Sequence, residues 1–159
     1  MTAEIANELN LEYRFIDQND ITALADLRME YFRETNNKPL PDEILPNTIR
    51  YLEEELASDA LTGQIAVLSG RIIAVGLMSV FNIMPTRRNP TGKRGYLFDF
   101  YVKPEFRRRH IATTILHQLK DEARRIGVHD LFLNAREMAI PLYEQNGFTF
   151  LRHEMWVEI

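Results

Sequence analysis

Residues 96–102, Tyr-Leu-Phe-Asp-Phe-Tyr-Val, form an almost unbroken apolar run. Such a run suits a strand covered on both faces, and together with the next thirty or so residues it limits the fold more than any other part of the chain. After Lys103-Pro104 and a short basic turn, Ile111, Ile115, Leu119, Ala123 and Ile126 recur at three or four residues, which predicts a helix ending at Gly127. Residues 130–135 then read as a second strand. Strand, turn, helix and strand make a βαβ crossover, and two strands joined that way run in the same direction, so a parallel pair stands in the middle of the fold.

The flanking segments supply the other elements. Residues 12–17 alternate as a short strand, and from Asp20 the residues Ile21, Leu24, Leu27, Met29 and Tyr31 recur near helical spacing. Asp20 is placed to cap that helix, which should stop before Asn36-Asn37-Lys38-Pro39. A second helix is predicted across Ile49, Leu52 and Leu56, after a connection holding Pro39, Pro41 and Pro46. Residues 64–68 and 72–81 flank Ser69-Gly70 and read as an antiparallel hairpin, and 84–95 read as a loop. A short helix around 141–145 should end at Asn146-Gly147, with a last strand running from Phe148 towards Val157. Trp156 and the six methionines are expected in the core.

The 159 residues suit one domain, with 1–10 as an N-terminal extension. With 45% hydrophobic and 26% charged residues the body of the chain has enough apolar surface to fold. No cysteine is present, which removes disulfides and thiolate chemistry and fits a reducing cytoplasm. Glu4 and Glu8 argue against a signal peptide, and no apolar stretch is long enough to span a membrane. The net charge of -4 conceals an asymmetry: residues 1–60 hold fourteen acidic and five basic side chains, whereas 87–109 hold eight basic and two acidic ones. The basic segment suits a polyanionic ligand, with a phosphorylated small molecule competing well against a nucleic acid.

The turn before the crossover helix reads Arg107-Arg108-Arg109-His110-Ile111-Ala112. A helix N-terminus presents unpaired N–H groups and partial positive charge, and three arginines add more at the same place, so the turn suits a pyrophosphate. Thr113 offers a hydroxyl beside it, with an ordinary first-turn helix residue as the plain alternative. Asp99 is a lone carboxylate in an apolar strand, so it must be paired, exposed or functional, with a salt bridge to a nearby arginine or a solvated strand end as the plain alternative. His117, His129 and His153 show no metal-ligand spacing and read as surface or packing residues, and no metal is expected.

The basic turn resembles the acyl-CoA signature of the GNAT superfamily of N-acetyltransferases, Arg/Gln-x-x-Gly-x-Gly/Ala after an apolar strand and a proline, with Arg107 and Ala112 at its ends. Leu142-Tyr143-Glu144-Gln145-Asn146-Gly147-Phe148 is similar to the family's Leu-Tyr-Glu-x-x-Gly-Phe element, in the family's order. The resemblance implies a mixed α/β fold of GNAT type: a mostly antiparallel central sheet, one splayed parallel strand pair joined by the crossover, and helices on both faces. It implies acetyl-CoA as acyl donor and an amine as acceptor. Backbone groups near Phe100, Tyr101 and Val102 would meet the thioester oxygen where the parallel strands separate, and Asn134 would touch the pantetheine arm. With Arg107, Arg108, Arg109, His110, Ile111, Ala112 and Thr113 these make up the expected acetyl-CoA site. Tyr143 matches the family tyrosine that protonates the leaving thiolate, its plain alternative being a core aromatic, and in the mechanism the resemblance implies Asp99 would receive the amine's proton or hold the amine.

Two departures stand out. His110 occupies the place of the signature's first glycine, where a positive φ would be strained. Arg136-Glu137-Met138-Ala139 lacks the common asparagine of the last motif and resembles instead the subgroup with Met-Gly-x-Pro-Leu-Tyr. The acidic first 60 residues, with Glu30 and Glu34 one helical turn apart, favour a cationic acceptor, although a solvated helix face explains them as well. A homodimer, a non-catalytic acyl-CoA-binding module and an RNA-binding domain using 87–109 remain open as further readings.

Overall fold

The structure, a computed structural model, describes residues 9–151 and 154–159. Five strands form one sheet in chain order: β1 (Glu12–Phe15), β2 (Leu61–Leu68), β3 (Arg71–Asn82), β4 (Lys93–Val102) and β5 (Asp130–Leu133). The first three pairings are antiparallel and β4–β5 is parallel, as the crossover requires. Ser69 and Gly70, at φ 49° and 77°, supply the two left-handed residues of the tight β2–β3 turn.

Four helices cover the sheet: α1 (Ile21–Thr35), α2 (Ile44–Ala57), α3 (Ile111–Arg125) and α4 (Ile140–Gln145). Leu24, Leu27 and Leu52 of α1 and α2 share one core with Ile65, Val75 and Leu77. On the opposite face Ile115, Leu116 and Leu119 of α3 share a second with Ala74, Met78 and Leu97. The fold is thus mixed α/β with helices on both faces. Gly127 adopts φ 78° just past α3, where a side chain would be strained, and stops the helix.

A bulge in β4 decides which side chains reach which face. Val75 lies opposite Tyr101 and Leu77 opposite Phe98, so Asp99 and Phe100 together face Gly76. The extra residue shifts the alternation: Phe98 and Tyr101 join the α1/α2 core, whereas Leu97, Phe100 and Val102 join the α3/α4 core. Rungs between β4 and β5 run from Arg94–Asp130 to Leu97–Leu133 and end there. β4 continues to Val102 without a partner on that edge, so the parallel pair splays at its C-terminal end.

Four expectations change. Asp20 does not cap α1; its carboxylate accepts from Asp17 N and from Arg14, while Asp17 caps the preceding turn through Asn19 N. Pro46 lies in the first turn of α2, where its missing N–H would have no helical partner anyway. The expected last strand is absent among residues 148–151 and 154–159, because no strand edge pairs with them and the apolar pattern alone cannot supply one. Trp156, Met84, Met138 and Met155 are exposed, and of the described methionines Met29 and Met78 are in the core. Most of the expected N-terminal extension, 1–8, and His153 lie outside the described residues.

Candidate functional site

Asp99 and Tyr143 flank the splay from opposite faces. Asp99, at φ 54° in the bulge, turns toward α1 and pairs with Arg28, whose guanidinium lies 4.8 Å above the Phe32 ring. Burial raises the Asp99 carboxyl above its ordinary range, and Arg28 opposes that rise without cancelling it. Tyr143 projects from α4 into the other core, its ring edge-on to Phe100 at 6.1 Å and to Phe148 at 5.7 Å. No described residue forms a hydrogen bond with its hydroxyl, which burial pushes up to about 12. The phenol therefore stays protonated through the neutral range. Phe100, between these two in the chain and in space, carries the splayed edge of β4. The N–H groups on that edge have no ladder partner, whereas the Val102 carbonyl accepts from Arg107 Nε at 2.8 Å.

The basic turn stands at the same end of the sheet, since it leaves β4 through a short turn at Pro104–Phe106. His110 occupies the N-cap of α3 at φ 59° and ψ 16° and makes no side-chain cap, so the first N–H groups of the helix, those of Ile111, Ala112 and Thr113, remain unclaimed. Arg108 also adopts a left-handed φ, 58°. Arg108 and Arg109 form no ion pair among the described residues. Arg107 does: its guanidinium reaches Glu34 at 2.6 Å and sits 5.6 Å from the Tyr101 ring. Arg107 in turn holds the Glu34 carboxyl below its usual range. The loop thus offers two free guanidinium groups and an open helix N-terminus to a phosphate, while its third arginine ties the loop to α1. Asn134 lies just past the last β5 rung and is exposed at the splay.

Some of the charges that suggested partners at the sequence level are matched internally. Glu30 pairs with Lys103 at 3.2 Å and Glu34 with Arg107, so the acidic wall expected on α1 is neutralised where it meets the site. In the basic segment Arg94 pairs with Asp130 at 2.9 Å and Lys93 donates to the Ile126 carbonyl at 2.6 Å. Arg87 and Arg88 precede β4, and Arg108 and Arg109 come after it. Ten strand residues, roughly 33 Å, separate the two pairs. The segment is therefore no continuous stripe for a nucleic-acid backbone.

Sequence reasoning missed Arg28, the partner of Asp99. Its only signal was a cationic residue on α1 facing a lone strand carboxylate 71 positions later. It also missed an aromatic wall on the α1/α2 side, where Tyr51, Phe81, Tyr96, Phe98 and Phe132 with Ser79 line a cavity of about 260 Å³. A larger cavity of about 600 Å³ runs along the free edge of β5 and the segment after α4; it touches Asn134 and Tyr143 and none of residues 107–113. Among the described residues no group of three His, Asp or Glu gathers at metal-binding spacing, and no helix is long and apolar enough to cross a membrane.

The fold recurs in known proteins. A Clostridium acetobutylicum protein, described as a predicted acetyltransferase and solved with acetyl-CoA, is 31% identical, with 94% of this chain and 95% of that one covered and a TM-score of 0.86. A GCN5-related N-acetyltransferase from Ralstonia eutropha is 26% identical over 94% and 98% of the two chains, with a TM-score of 0.81. Glucosamine-6-phosphate N-acetyltransferase from Arabidopsis thaliana, 18% identical over 93% and 97%, shares the fold at a TM-score of 0.68. No curated protein sequence matches the chain. The model of the acetyltransferase (GNAT) family matches residues 21–148, which take in the bulged strand, the basic turn and Tyr143, and the chain belongs to that family.

Proposed function

We propose that this chain, working as one domain over residues 1–159, transfers the acetyl group of acetyl-CoA to a primary amine. The observation that carries the reading is the placement of Asp99 and Tyr143 on opposite faces of the sheet at one splay. A base and an acid so placed can serve an amine arriving from the α1/α2 side and a thiol leaving on the α3/α4 side. Acetyl-CoA supplies the activated acetyl thioester. Arg108 and Arg109, with the N–H groups of His110, Ile111, Ala112 and Thr113, hold its phosphates, and Arg107 fixes the loop that carries them. Asn134 and the splayed edges of β4 and β5 receive the pantetheine arm.

A protonated amine has no lone pair, so Asp99 takes that proton before attack; a carboxyl raised by burial is a better base for it than an exposed one. Unpaired N–H groups on the Phe100–Val102 edge hold the negative charge that develops on the thioester oxygen. Tyr143 then donates its hydroxyl proton to the departing sulfur, while the nitrogen sheds its second proton as the amide forms and solvent returns a proton to the tyrosinate. A cysteine-free chain using acetyl-CoA suits the cytoplasm, which belongs to this proposal. A second copy of the chain is proposed as a partner, supported by the exposed Phe150, Leu151, Trp156 and Val157.

Thermal denaturation with acetyl-CoA, CoA and ATP tests the first step. Acetyl-CoA and CoA should raise the midpoint, since a ligand specific to the folded state stabilises it, and ATP should do less. No rise with either CoA species at millimolar concentration would sink the assignment. Thiol release across a panel of amines then separates an enzyme from a module that only binds acyl-CoA.

A further inference from the structure

We infer that the acceptor is a monoamine carrying an aromatic or similarly flat apolar group, which lies against the aromatic wall between α2 and the sheet. The inference rests on the acetyltransferase reading and narrows its substrate class.

The wall arises from register. Ser79 on β3, Tyr96 on β4 and Phe132 on β5 are cross-strand neighbours, and Phe98 lies two residues along β4 on the same face. Tyr96 stacks on Phe98 at 5.7 Å and 11°, Phe132 tilts against Tyr96 at 5.0 Å, and Phe81 and Tyr51 close the ends edge-on. Packing aromatics of this size would ordinarily be covered, yet all five rings remain partly exposed around a cavity of about 260 Å³. That is room for one ring with a short chain. Ser79 is the only non-aromatic residue of the lining.

Position links the cavity to the chemistry. Phe98 directly precedes Asp99, and the Leu97–Leu133 rung, the last before the splay, adjoins both Phe98 and Phe132. Burial raises the Tyr51 hydroxyl; Glu55 adds to that rise, and Arg28, the Asp99 partner, opposes it. A ring against Phe98 and Phe132 would therefore point a short amine-bearing arm along β4 toward Asp99. The lining then selects among amines. Five of its six residues are aromatic and none is a carboxylate, and the Arg94 guanidinium, 4.3 Å above Phe132, is already matched by Asp130. A polyamine has no flat group to set against the rings and would find no carboxylate along the wall for its further ammonium groups. A single amine on a flat apolar body would meet ring faces along the wall and the Asp99 carboxylate at its end.

The test compares 2-phenylethylamine with spermidine as acceptors in a thiol-release assay at saturating acetyl-CoA. The expected result is a kcat/KM at least tenfold higher for 2-phenylethylamine. Ser79→Leu, which fills the cavity floor, should raise the KM for 2-phenylethylamine tenfold or more while acetyl-CoA still raises the melting midpoint as in the parent. Phe132→Ala should do the same by removing a ring face, so that neither result depends on one variant folding. Equal or better use of spermidine, or a KM indifferent to both variants, overturns the inference while leaving an acetyltransferase. Failure of acetyl-CoA to stabilise the parent chain overturns the wider reading, and the inference with it.

Discussion

His110 adopts φ 59° where its family places glycine, and a left-handed conformation costs a residue with a Cβ about 1 kcal/mol or more. His110→Gly should therefore raise stability by about 1 kcal/mol in urea denaturation while acetyl-CoA still binds, unless the imidazole itself contacts phosphate, in which case affinity falls. Tyr143→Phe keeps the ring between Phe100 and Phe148 but removes the proton proposed for the departing sulfur. Single-turnover acetylation should slow by about 10²-fold or somewhat less with acetyl-CoA affinity unchanged by calorimetry. Equal rates, with chemistry limiting both, would make Tyr143 a packed aromatic. For Asp99 burial sets the sign: the base form is lost as pH falls through a pKa held above the ordinary carboxylate range. The acidic limb of kcat/KM should accordingly lie above the ordinary carboxylate range in the parent and vanish in Asp99→Asn along with most of the rate.

At the scale of elements, the start of α1 is pinned by one carboxylate. Asp20 accepts from both Arg14 nitrogens at 2.8 Å and from Asp17 N at 2.9 Å, and Arg14 holds its pKa below the ordinary value. A depressed pKa stabilises the fold fully above the unfolded value, about 3.9, and that contribution is lost as pH falls through the folded one. Asp20→Asn should cost about 1–2 kcal/mol at pH 7, and its difference from the parent should shrink in denaturation curves taken toward pH 3. The β4 bulge depends on Gly76. A Cβ there would stand 2.6 Å from Ile115 Cγ2 and 3.0 Å from the Phe100 ring, so Gly76→Ala must push α3 or reset the bulge. The expected cost is about 1–3 kcal/mol, with a rate loss larger than stability alone explains, because Asp99 and Phe100 move with it.

For the whole molecule, the segment after α4 is the part the chain leaves unburied. Phe150, Trp156 and Val157 are 70%, 85% and 72% exposed, a set of large apolar side chains left in water. Sedimentation should find dimers at micromolar concentration, and Trp156→Ser should shift the population toward monomer. A parent that is monomeric throughout would remove the second copy from the proposal.

The crossover was legible because its signals are local: an apolar run, a periodic helix stopped at Gly127 and a second strand fix a parallel pair by chain geometry alone. The basic turn and Tyr143 were legible as a short ordered pattern on that unit. Asp99 could be singled out, since a carboxylate amid apolar residues must find a reason, but its partner could not. Arg28 lies 71 positions away, and only the packing of α1 on a bulged strand brings the two together. The fate of Glu30, Glu34 and Arg107, the dispersal of the basic segment and the aromatic wall share that origin. Each depends on which face a side chain takes, and one extra residue opposite Gly76 reverses the faces of everything after it in β4. The missing last strand carries the same lesson: alternation permits a strand, whereas an available edge in the folded molecule decides whether one forms.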